Sequence, residues 1–245
     1  MSAALDVETR ADRVVLRLDR PEVRNSIDQH MVDELHAVCP DLEADPKVML
    51  LTGQEGVFAA GADIAQLRER RRDDALRGIN SGLFDRIRRL PMPTIALLDG
   101  YALGGGAELA YACDFRLGTP RVRIGNPEPG LGILAAAGAT WRLKELVGEP
   151  VAKEVLLAGR VLDADEAHRV GLLSEVVEPH DLLDAGHSWA DRITGQGTLA
   201  VRLTTAAFHA PREAHPFVDA LAQAVLFETD AKHERMTAFL ERKKR

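Results

Sequence analysis

Residues 94–110 read TIALLDGYALGGGAELA, and this stretch decides how the chain folds. The apolar run Thr94–Leu98 predicts a buried strand, and the glycines at 104–106 predict a sharp turn into a helix that runs from about Gly105 through Cys113. The first N–H groups of such a helix have no partner within it, and the helix dipole is positive at that end. Glu108 would lie one turn into the helix, beside a site suited to an anion. This arrangement suits chemistry on a carbonyl, although a strand–glycine–helix turn also occurs for packing alone.

Composition places the chain among ordinary globular proteins. Its 245 residues are 46% hydrophobic and 28% charged, which allows one large core with or without an extension. The formal net charge of -7 argues against non-specific nucleic-acid binding over the whole surface. Acidic residues stand near the start, where an export signal needs an apolar core, so no export signal is visible. No uncharged apolar stretch is long enough to span a bilayer. We therefore expect neither nucleic acid nor membrane among its partners.

Cysteine and histidine usage indicates the compartment and the absence of a metal centre. Cys39 and Cys113 have no neighbouring ligand pattern, and the 8 histidines show no metal-ligand spacing. Two unmatched cysteines are typical of a reducing compartment. The sequence therefore predicts a cytoplasmic protein without a bound metal.

Repeated strand-then-helix units, followed by helices alone, organise the rest of the chain. Strands are predicted at Val14–Leu18, Val48–Thr52, Thr94–Leu98, Arg116–Ile124 and Leu173–Val177. Helices are predicted after an N-cap at Asp28, over residues 83–90, at Ala135–Leu146, Val151–Leu157 and, capped by Asp163, Ala164–Val170. From His180 onward the predicted helices are Leu182–Ile193, Leu199–His209, Phe217–Glu228 and Lys232–Lys243. This order predicts an α/β fold with a helical tail, and the tail's apolar stripes favour association with a second copy.

A second strand–turn–helix junction precedes the first one in the chain. In Val57–Ile64, small residues lead to Asp63 and then to a helical pattern. Four arginines follow between residues 68 and 72. Such a run is either a solvated helix face or a patch that faces phosphate.

The loop at residues 125–130 carries another candidate acid. Glu128 stands between Pro127 and Pro129, and two prolines exclude the interior of a helix or of a central strand. An exposed loop glutamate is one interpretation. If the loop lies near Glu108, the glutamate instead supplies the second carboxylate of a site.

The combination of these motifs, in this order and at this spacing, is more specific than any single motif. The strongest are Phe58–Ile64, Gly100–Leu109 and Asn126-Pro127-Glu128, and the weaker ones are Arg20–Ser26, Leu157–Arg160 and Ala167–Leu173. Together they resemble the enoyl-CoA hydratase/isomerase, or crotonase, superfamily over nearly the whole chain. The resemblance implies an α/β fold of the crotonase-like type, a spiral of ββα units. It also implies a catalytic acyl-CoA-binding core at 1–179 and a helical oligomerisation region at 180–245 that forms trimers or dimers of trimers.

The activity that the resemblance implies is that of a lyase. An enoyl-CoA hydratase adds water across the 2,3 double bond of a 2-enoyl-CoA thioester and gives a 3-hydroxyacyl-CoA. The backbone N–H groups of Ala62 and Gly105 match the family's oxyanion hole, and Glu108 and Glu128 match its two catalytic carboxylates. Coenzyme A enters as part of the substrate, and the resemblance implies no metal or redox cofactor.

The resemblance also implies a set of residues that contact coenzyme A. They match Val23, Arg24, Ala60, Ala62, Asp63, Ile64 and Gly104 in the core, and Phe239 and Arg242 in the tail. The tail residues would reach the nucleotide bound to a neighbouring subunit. For Arg242 a solvated basic tail explains the sequence equally well.

One departure from the family pattern lies at Ala135–Ala137, where many hydratases carry a glycine-rich turn. The added methyl group at Ala136 predicts a narrower pocket or a differently set turn, which puts hydration of the usual substrates in doubt.

Other activities stay open at this stage. An isomerase or another crotonase-type reaction is one alternative, and a catalytically silent acyl-CoA-binding protein is another. The segment Gly130–Ala135 also fits the dinucleotide-binding pattern G-x-G-x-x-A. It follows two prolines instead of a strand, which disfavours a nucleotide-dependent oxidoreductase.

Overall fold

The computed structural model of the chain describes residues 3–54 and 56–242. Its strands are β1 (Leu5–Thr9), β2 (Arg13–Leu18), β3 (Val48–Thr52), β4 (Val57–Ala59), β5 (Thr94–Leu98), β6 (Tyr101–Leu103), β7 (Phe115–Gly118), β8 (Arg123–Gly125), β9 (Leu162–Asp163) and β10 (Glu175–Val176). Its α-helices are α1 (Gln29–Ala44), α2 (Ile64–Glu69), α3 (Arg72–Arg77), α4 (Ile79–Arg88), α5 (Gly105–Ala112), α6 (Ala139–Ala158), α7 (Ala164–Arg169), α8 (Leu182–Thr194), α9 (Thr198–Phe208), α10 (Phe217–Phe227) and α11 (Asp230–Arg242).

The strands form two sheets that the chain builds in alternation. The larger sheet has the order β1-β2-β3-β5-β7-β10 and the smaller one the order β4-β6-β8-β9. Strands β3, β5 and β7 of the larger sheet are each followed by a strand of the smaller sheet, so each turn of the chain extends both sheets. The β1–β2 and β8–β9 pairs are antiparallel and the other pairs are parallel. This is the predicted α/β spiral of ββα units.

Strand β5 is buried on both faces, which explains its continuous apolar sequence. Ala96 and Leu98 belong to the larger core, which also contains residues of α5 and of the smaller sheet. Ile95 and Leu97 point to the other side and belong to a second core, to which Leu182 of α8 contributes. Helix α8 therefore covers one face of the larger sheet. The division of the chain at residue 180 stays a prediction.

Helix α5 lies against strand β4 at a distance that only glycine permits. A Cβ atom at Gly106 would overlap the carbonyl oxygen of Ala59 and lie 2.8 Å from the Ala59 Cβ atom. Ala59 ends β4, and the chain continues directly into the segment that carries Ala62. The close approach therefore brings the two strand–turn–helix junctions side by side.

Two sequence predictions about element boundaries were wrong. The single extended segment Arg116–Ile124 is divided between β7 and β8 in different sheets, because a turn closed by the Val122 N–H to the Thr119 carbonyl separates them (3.1 Å). The helix expected from Ala135 begins at Ala139, because residues 136–138 form a turn in which Gly138 has φ 132°.

Other predicted boundaries are found in the structure. Helix α6 is broken at Gly148 (φ 77°, ψ 164°), where the sequence predicted a gap between two helices. Asp28 caps α1 by accepting the Met31 N–H, and Asp163 caps α7 by accepting the Glu166 N–H (both 2.9 Å). The expected end of the last helix at Lys243 lies outside the described residues. None of the helices over 3–54 and 56–242 is both long and apolar enough to cross a membrane.

We predict that Gly106→Ala destabilises the fold. At an exposed helix position, alanine is normally more favourable than glycine by about 1 kcal/mol. Here the methyl group forces α5 away from β4, and overpacking of this kind lowers the free energy of unfolding by about 1–3 kcal/mol. Denaturant unfolding of the variant measures the change. The matched control is Gly82→Ala in α4, where a Cβ atom meets nothing within 4 Å. We expect that variant to be as stable as the parent or more stable, and equal behaviour of the two variants would contradict the packing argument.

Candidate active site

The site begins where β6 turns into α5. Gly104 has φ 52° and ψ -124°, a conformation that side chains rarely adopt, and a Cβ atom there would lie 3.0 Å from Glu128 Oε1. The Gly104 N–H donates to the Gly125 carbonyl at the end of β8 (2.8 Å). The turn is thus fixed between two strands of the smaller sheet, with the loop of Glu128 beside it.

Two backbone N–H groups, those of Ala62 and Gly105, lie next to each other at the two junctions. A Cβ atom at Gly105 would lie 3.5 Å from the Ala62 nitrogen. Around Ala62 the Ile27 N–H donates to Gly61 and the Asp63 N–H donates to Ile27, which leaves the Ala62 N–H out of this bridge. Within the described part of the chain, neither the Ala62 nor the Gly105 N–H has an acceptor. Two unpaired donors beside one another can bind an oxygen that gains negative charge.

Glu108 is held by the turn that departs from the family pattern. Its side chain is 5% exposed, and its Oε1 accepts the N–H groups of Ala137 (2.7 Å) and Ala139 (3.1 Å). The pKa of Glu108 is raised to about 7, chiefly by burial and also by the charge of Glu128, while the two N–H donors oppose the shift. The alanine-rich turn therefore supplies the donors that fix this carboxylate.

Glu128 has fewer donors than Glu108. It is 7% exposed, begins a 3-10 turn, and accepts the Asn126 side-chain N–H at 3.5 Å. The Asn126 Oδ1 accepts the Tyr111 hydroxyl (3.1 Å), which orients the amide. Glu128 Oε2 is buried without a partner among residues 3–54 and 56–242. Burial raises the pKa of Glu128, opposed by its own backbone N–H and by Asn126.

Except for Gly104, the candidate coenzyme A residues of the core lie around the second junction, at Val57–Ile64. The Ala60 N–H donates to the Arg24 carbonyl (3.0 Å), and the buried Asn25 side chain donates to the carbonyls of Val57 and Phe58 (3.0 and 3.2 Å). These bonds place Val23 and Arg24 beside Ala60.

The next residues begin helix α2. Asp63 caps it by accepting the Gln66 N–H (2.8 Å), and Ile64 is 59% exposed. The two tail candidates, Phe239 and Arg242, lie near the end of α11 and are exposed. Their role at a neighbouring subunit stays a prediction.

Some groups of the site were not singled out from the sequence. Asn126 and Tyr111 support Glu128 in the structure, but the sequence assigns them no role, because polar support of an acid leaves no periodic signal. The segment Gly130–Ala135 begins within the 3-10 turn Glu128–Leu131 and precedes a helix that begins only at Ala139. It therefore lacks the strand–turn–helix context of a dinucleotide site. In the described chain no three His, Cys, Asp or Glu side chains are placed to hold a metal ion.

Comparison with known proteins decides the family. The sequence profile described as "Enoyl-CoA hydratase/isomerase" matches residues 8–245. The chain belongs to this family. A protein named crotonyl-CoA hydratase from Syntrophomonas wolfei is 38% identical and aligns over 97% of this chain and 95% of its own. A short-chain-enoyl-CoA hydratase from Clostridium acetobutylicum is 35% identical with the same coverage of both chains.

Solved structures of the family confirm the crotonase-like fold. A crystal structure of enoyl-CoA hydratase from Bacillus anthracis superposes with a TM-score of 0.91 at 30% identity, covering 98% of this chain and 96% of its own. One from Geobacillus kaustophilus superposes with a TM-score of 0.91 at 29% identity, covering 99% and 95%.

We predict that ionisation of Glu108 lowers the free energy of unfolding. Its ordinary pKa is 4.5 and its pKa in the folded chain is about 7. Between these pH values the folded state binds more protons than the unfolded state, so the free energy of unfolding falls as pH rises through this window. Glu108→Gln removes the titration, and above the window we expect the variant to be the more stable protein by on the order of 3 kcal/mol. Denaturant unfolding on both sides of the window measures this.

The control for this measurement is Glu149→Gln. Glu149 is exposed, and its bonds to Lys153 and Lys144 lower its pKa to about 2, outside the window. Its substitution should leave the pH dependence between 4.5 and 7 unchanged. Parallel pH curves of the parent and Glu108→Gln would contradict the buried titration.

Proposed function

We propose that the protein is an enoyl-CoA hydratase, a hydro-lyase that converts 2-enoyl-CoA thioesters to 3-hydroxyacyl-CoA. The observation that carries the proposal is the convergence of two unpaired backbone donors, Ala62 and Gly105, with two buried carboxylates, Glu108 and Glu128. The names of the relatives from Syntrophomonas wolfei and Clostridium acetobutylicum support this reaction, and crotonyl-CoA is a suitable first substrate.

The two backbone donors form the proposed oxyanion hole. A 2-enoyl thioester is a weak electrophile at C3, and attack by water moves the double-bond electrons to the thioester oxygen. Hydrogen bonds from Ala62 and Gly105 stabilise the enolate that results. The Gly105 donor begins an eight-residue helix, so the helix dipole adds to the effect. Loss of one such donor typically raises a barrier by about 3–4 kcal/mol.

The two carboxylates divide the proton transfers. Hydrogen-bond donors favour the ionised form of a carboxyl group. Glu108 accepts two backbone N–H groups at one oxygen, whereas Glu128 accepts its own backbone N–H and a long bond from Asn126, and its Oε2 has no partner among the described residues. With a pKa of about 7, Glu108 is partly ionised near neutral pH. We assign it the role of the base, which takes the proton of the attacking water as its oxygen bonds to C3. Glu128 gives its proton to C2, and the enolate returns to a thioester.

The remaining parts of the proposal concern binding and assembly. Val23, Arg24, Ala60, Asp63, Ile64 and Gly104 would contact coenzyme A, which arrives with the substrate, and the reaction needs no metal or redox cofactor. The free, buried thiols of Cys39 and Cys113 support a cytoplasmic location.

We predict that Glu108→Gln and Glu128→Gln each slow the hydration of crotonyl-CoA by about a hundredfold to ten-thousandfold, the range typical of general acid–base catalysis. Loss of the conjugated thioester's ultraviolet absorbance measures the rate, and mass spectrometry identifies the product. Glu149→Gln, on the exposed surface of α6, is the control and should retain the parent rate. If both site variants kept that rate, the two-carboxylate mechanism would be wrong.

The same assay separates the alternatives. Presence of both carboxylates favours hydration over a double-bond shift by a single base. Conversion of a 3-enoyl-CoA to its 2-enoyl isomer without hydration would instead indicate an isomerase. Tight binding of acyl-CoA esters without turnover would indicate a silent binding protein.

We also propose that the helical tail assembles the protein as a trimer or a dimer of trimers. Large apolar side chains are exposed on α9 and α10, namely Phe208, Phe217, Leu221, Val225 and Phe227. An exposed apolar surface of this kind is typical of an interface. A second copy of the chain would cover it.

We predict that Leu221→Glu weakens this assembly. Leu221 is 53% exposed in the single chain, and a charge buried in an apolar interface without a partner is costly. Sedimentation velocity should give a multiple of 26.7 kDa for the parent and smaller species for the variant. Gln223→Glu on the same helix introduces the same charge at an exposed polar position and should leave the assembly intact. A parent that sediments as a monomer would refute the proposal.

A further inference from the structure

A cavity of about 170 Å³ adjoins Glu108 and lies between α4, α5 and the first turn of α6. Phe84 and Trp141 give it apolar walls, as an acyl chain requires. Arg88 and Arg142 also line it, which an unsubstituted hydrocarbon chain does not require. Because Glu108 forms part of the wall, the cavity is placed to take the acyl chain of a thioester whose C3 is attacked beside that residue.

Among the described residues, the charged side chains around this cavity have partners within the fold, with one exception. Asp85 accepts the Arg89 Nε–H (2.7 Å). Arg142 donates its Nε–H to the Tyr111 carbonyl (3.1 Å) and pairs with Glu145 (3.2 Å). These contacts account for Asp85 and Arg142 within the fold.

Arg88 is the exception. Its Nε is buried without a hydrogen-bond partner, and within residues 3–54 and 56–242 no carboxylate pairs with it. Its guanidinium carbon lies 4.9 Å from the centre of the Trp141 ring. This cation–π contact holds the guanidinium group in place but accepts none of its N–H groups.

The surroundings of Arg88 favour an anion. Burial lowers the pKa of Arg88, as do the positive charges of Arg142 and Arg89, whereas the charges of Glu145 and Asp85 raise it without pairing with it. Arginine nevertheless stays protonated in proteins, so the cavity contains a cation with unused donors. A guanidinium group presents its N–H groups in a plane that matches a carboxylate, often through two parallel hydrogen bonds.

We propose that the enzyme prefers CoA monothioesters of unsaturated dicarboxylic acids, whose distal carboxylate pairs with Arg88. This inference rests on the proposed hydratase function and names its substrate class. Arg88 is a specificity residue here and takes no part in the proton transfers. A neutral acyl chain of the same length leaves its donors without an acceptor, which disfavours binding.

The test compares matched substrates in one enzyme preparation. The pair is hex-2-enoyl-CoA and the CoA monothioester of hex-2-enedioic acid, which differ only at the distal carbon. We expect the parent to show a kcat/KM higher by about tenfold to a hundredfold for the carboxylated substrate, the range of a hydrogen bond to a charged group. Arg88→Met should remove this preference, lowering kcat/KM for the carboxylated substrate and raising it for the neutral one, because its apolar side chain leaves no unpaired donor beside the neutral chain. Arg88→Lys should retain part of the preference, since it keeps the charge but loses the planar fork.

Arg77→Met on α3 is the control for loss of a surface charge, because Arg77 lies outside the cavity and pairs with Asp74 (3.3 Å). It should keep the parent's ratio of the two kcat/KM values, which is insensitive to the fraction of folded enzyme. A parent that hydrates both substrates equally, with no change in Arg88→Met, overturns the inference and leaves the hydratase function standing.

Calorimetry provides a readout that does not depend on turnover. The ligands are the saturated hexanoyl-CoA and the CoA monothioester of hexanedioic acid. Tighter binding of the carboxylated ligand to the parent, lost in Arg88→Met, supports the inference even if neither enoyl substrate is hydrated. In that case the hydratase proposal alone fails. Equal binding of both ligands to the parent overturns the inference.

Discussion

The constraint on which the site depends is the direct backbone contact between strand β4 and helix α5. No side chain separates Gly106 from Ala59, so the end of the strand and the start of the helix lie as close as two backbones can. Each belongs to a different turn of the spiral, and each leads into a junction with an unpaired N–H group. The contact therefore joins Ala62 and Gly105, which are distant in sequence. A larger residue at this position would separate them without touching either donor.

Glu108 and Glu128 show how one dry environment gives two carboxylates different properties. Burial raises the pKa of both. The donors around them differ, because two backbone N–H groups from another segment contact Glu108, whereas Glu128 accepts its own backbone N–H and a long bond from the Asn126 amide. The pKa of Glu108 still reaches about 7, because burial outweighs its donors. In the proposed reaction Glu108 acts as the base and Glu128 as the acid.

Much of this could be predicted from the sequence, and the failures have physical causes. The continuous apolar run of β5 and the caps at Asp28 and Asp163 depend on local chemistry, which the sequence displays directly. The predicted start of α6 was wrong because the alanines at 135–137 favour a helix, whereas Gly138 and the contacts to Glu108 require a turn. Arg88 was missed because it stands in a charged helix that resembles a solvated face. Only the tertiary fold shows that this face borders a cavity.

The turn at residues 136–138 has a consequence for how the family diversifies. It anchors Glu108 through main-chain N–H groups, and every residue type except proline carries such a group. The side chains of the turn therefore take no part in holding Glu108, and Ala136 and Ala137 line the neighbouring cavity. Mutations here can change the cavity walls while Glu108 stays fixed. Such a separation of tasks lets new substrate preferences evolve along the lineage at little risk to the chemistry.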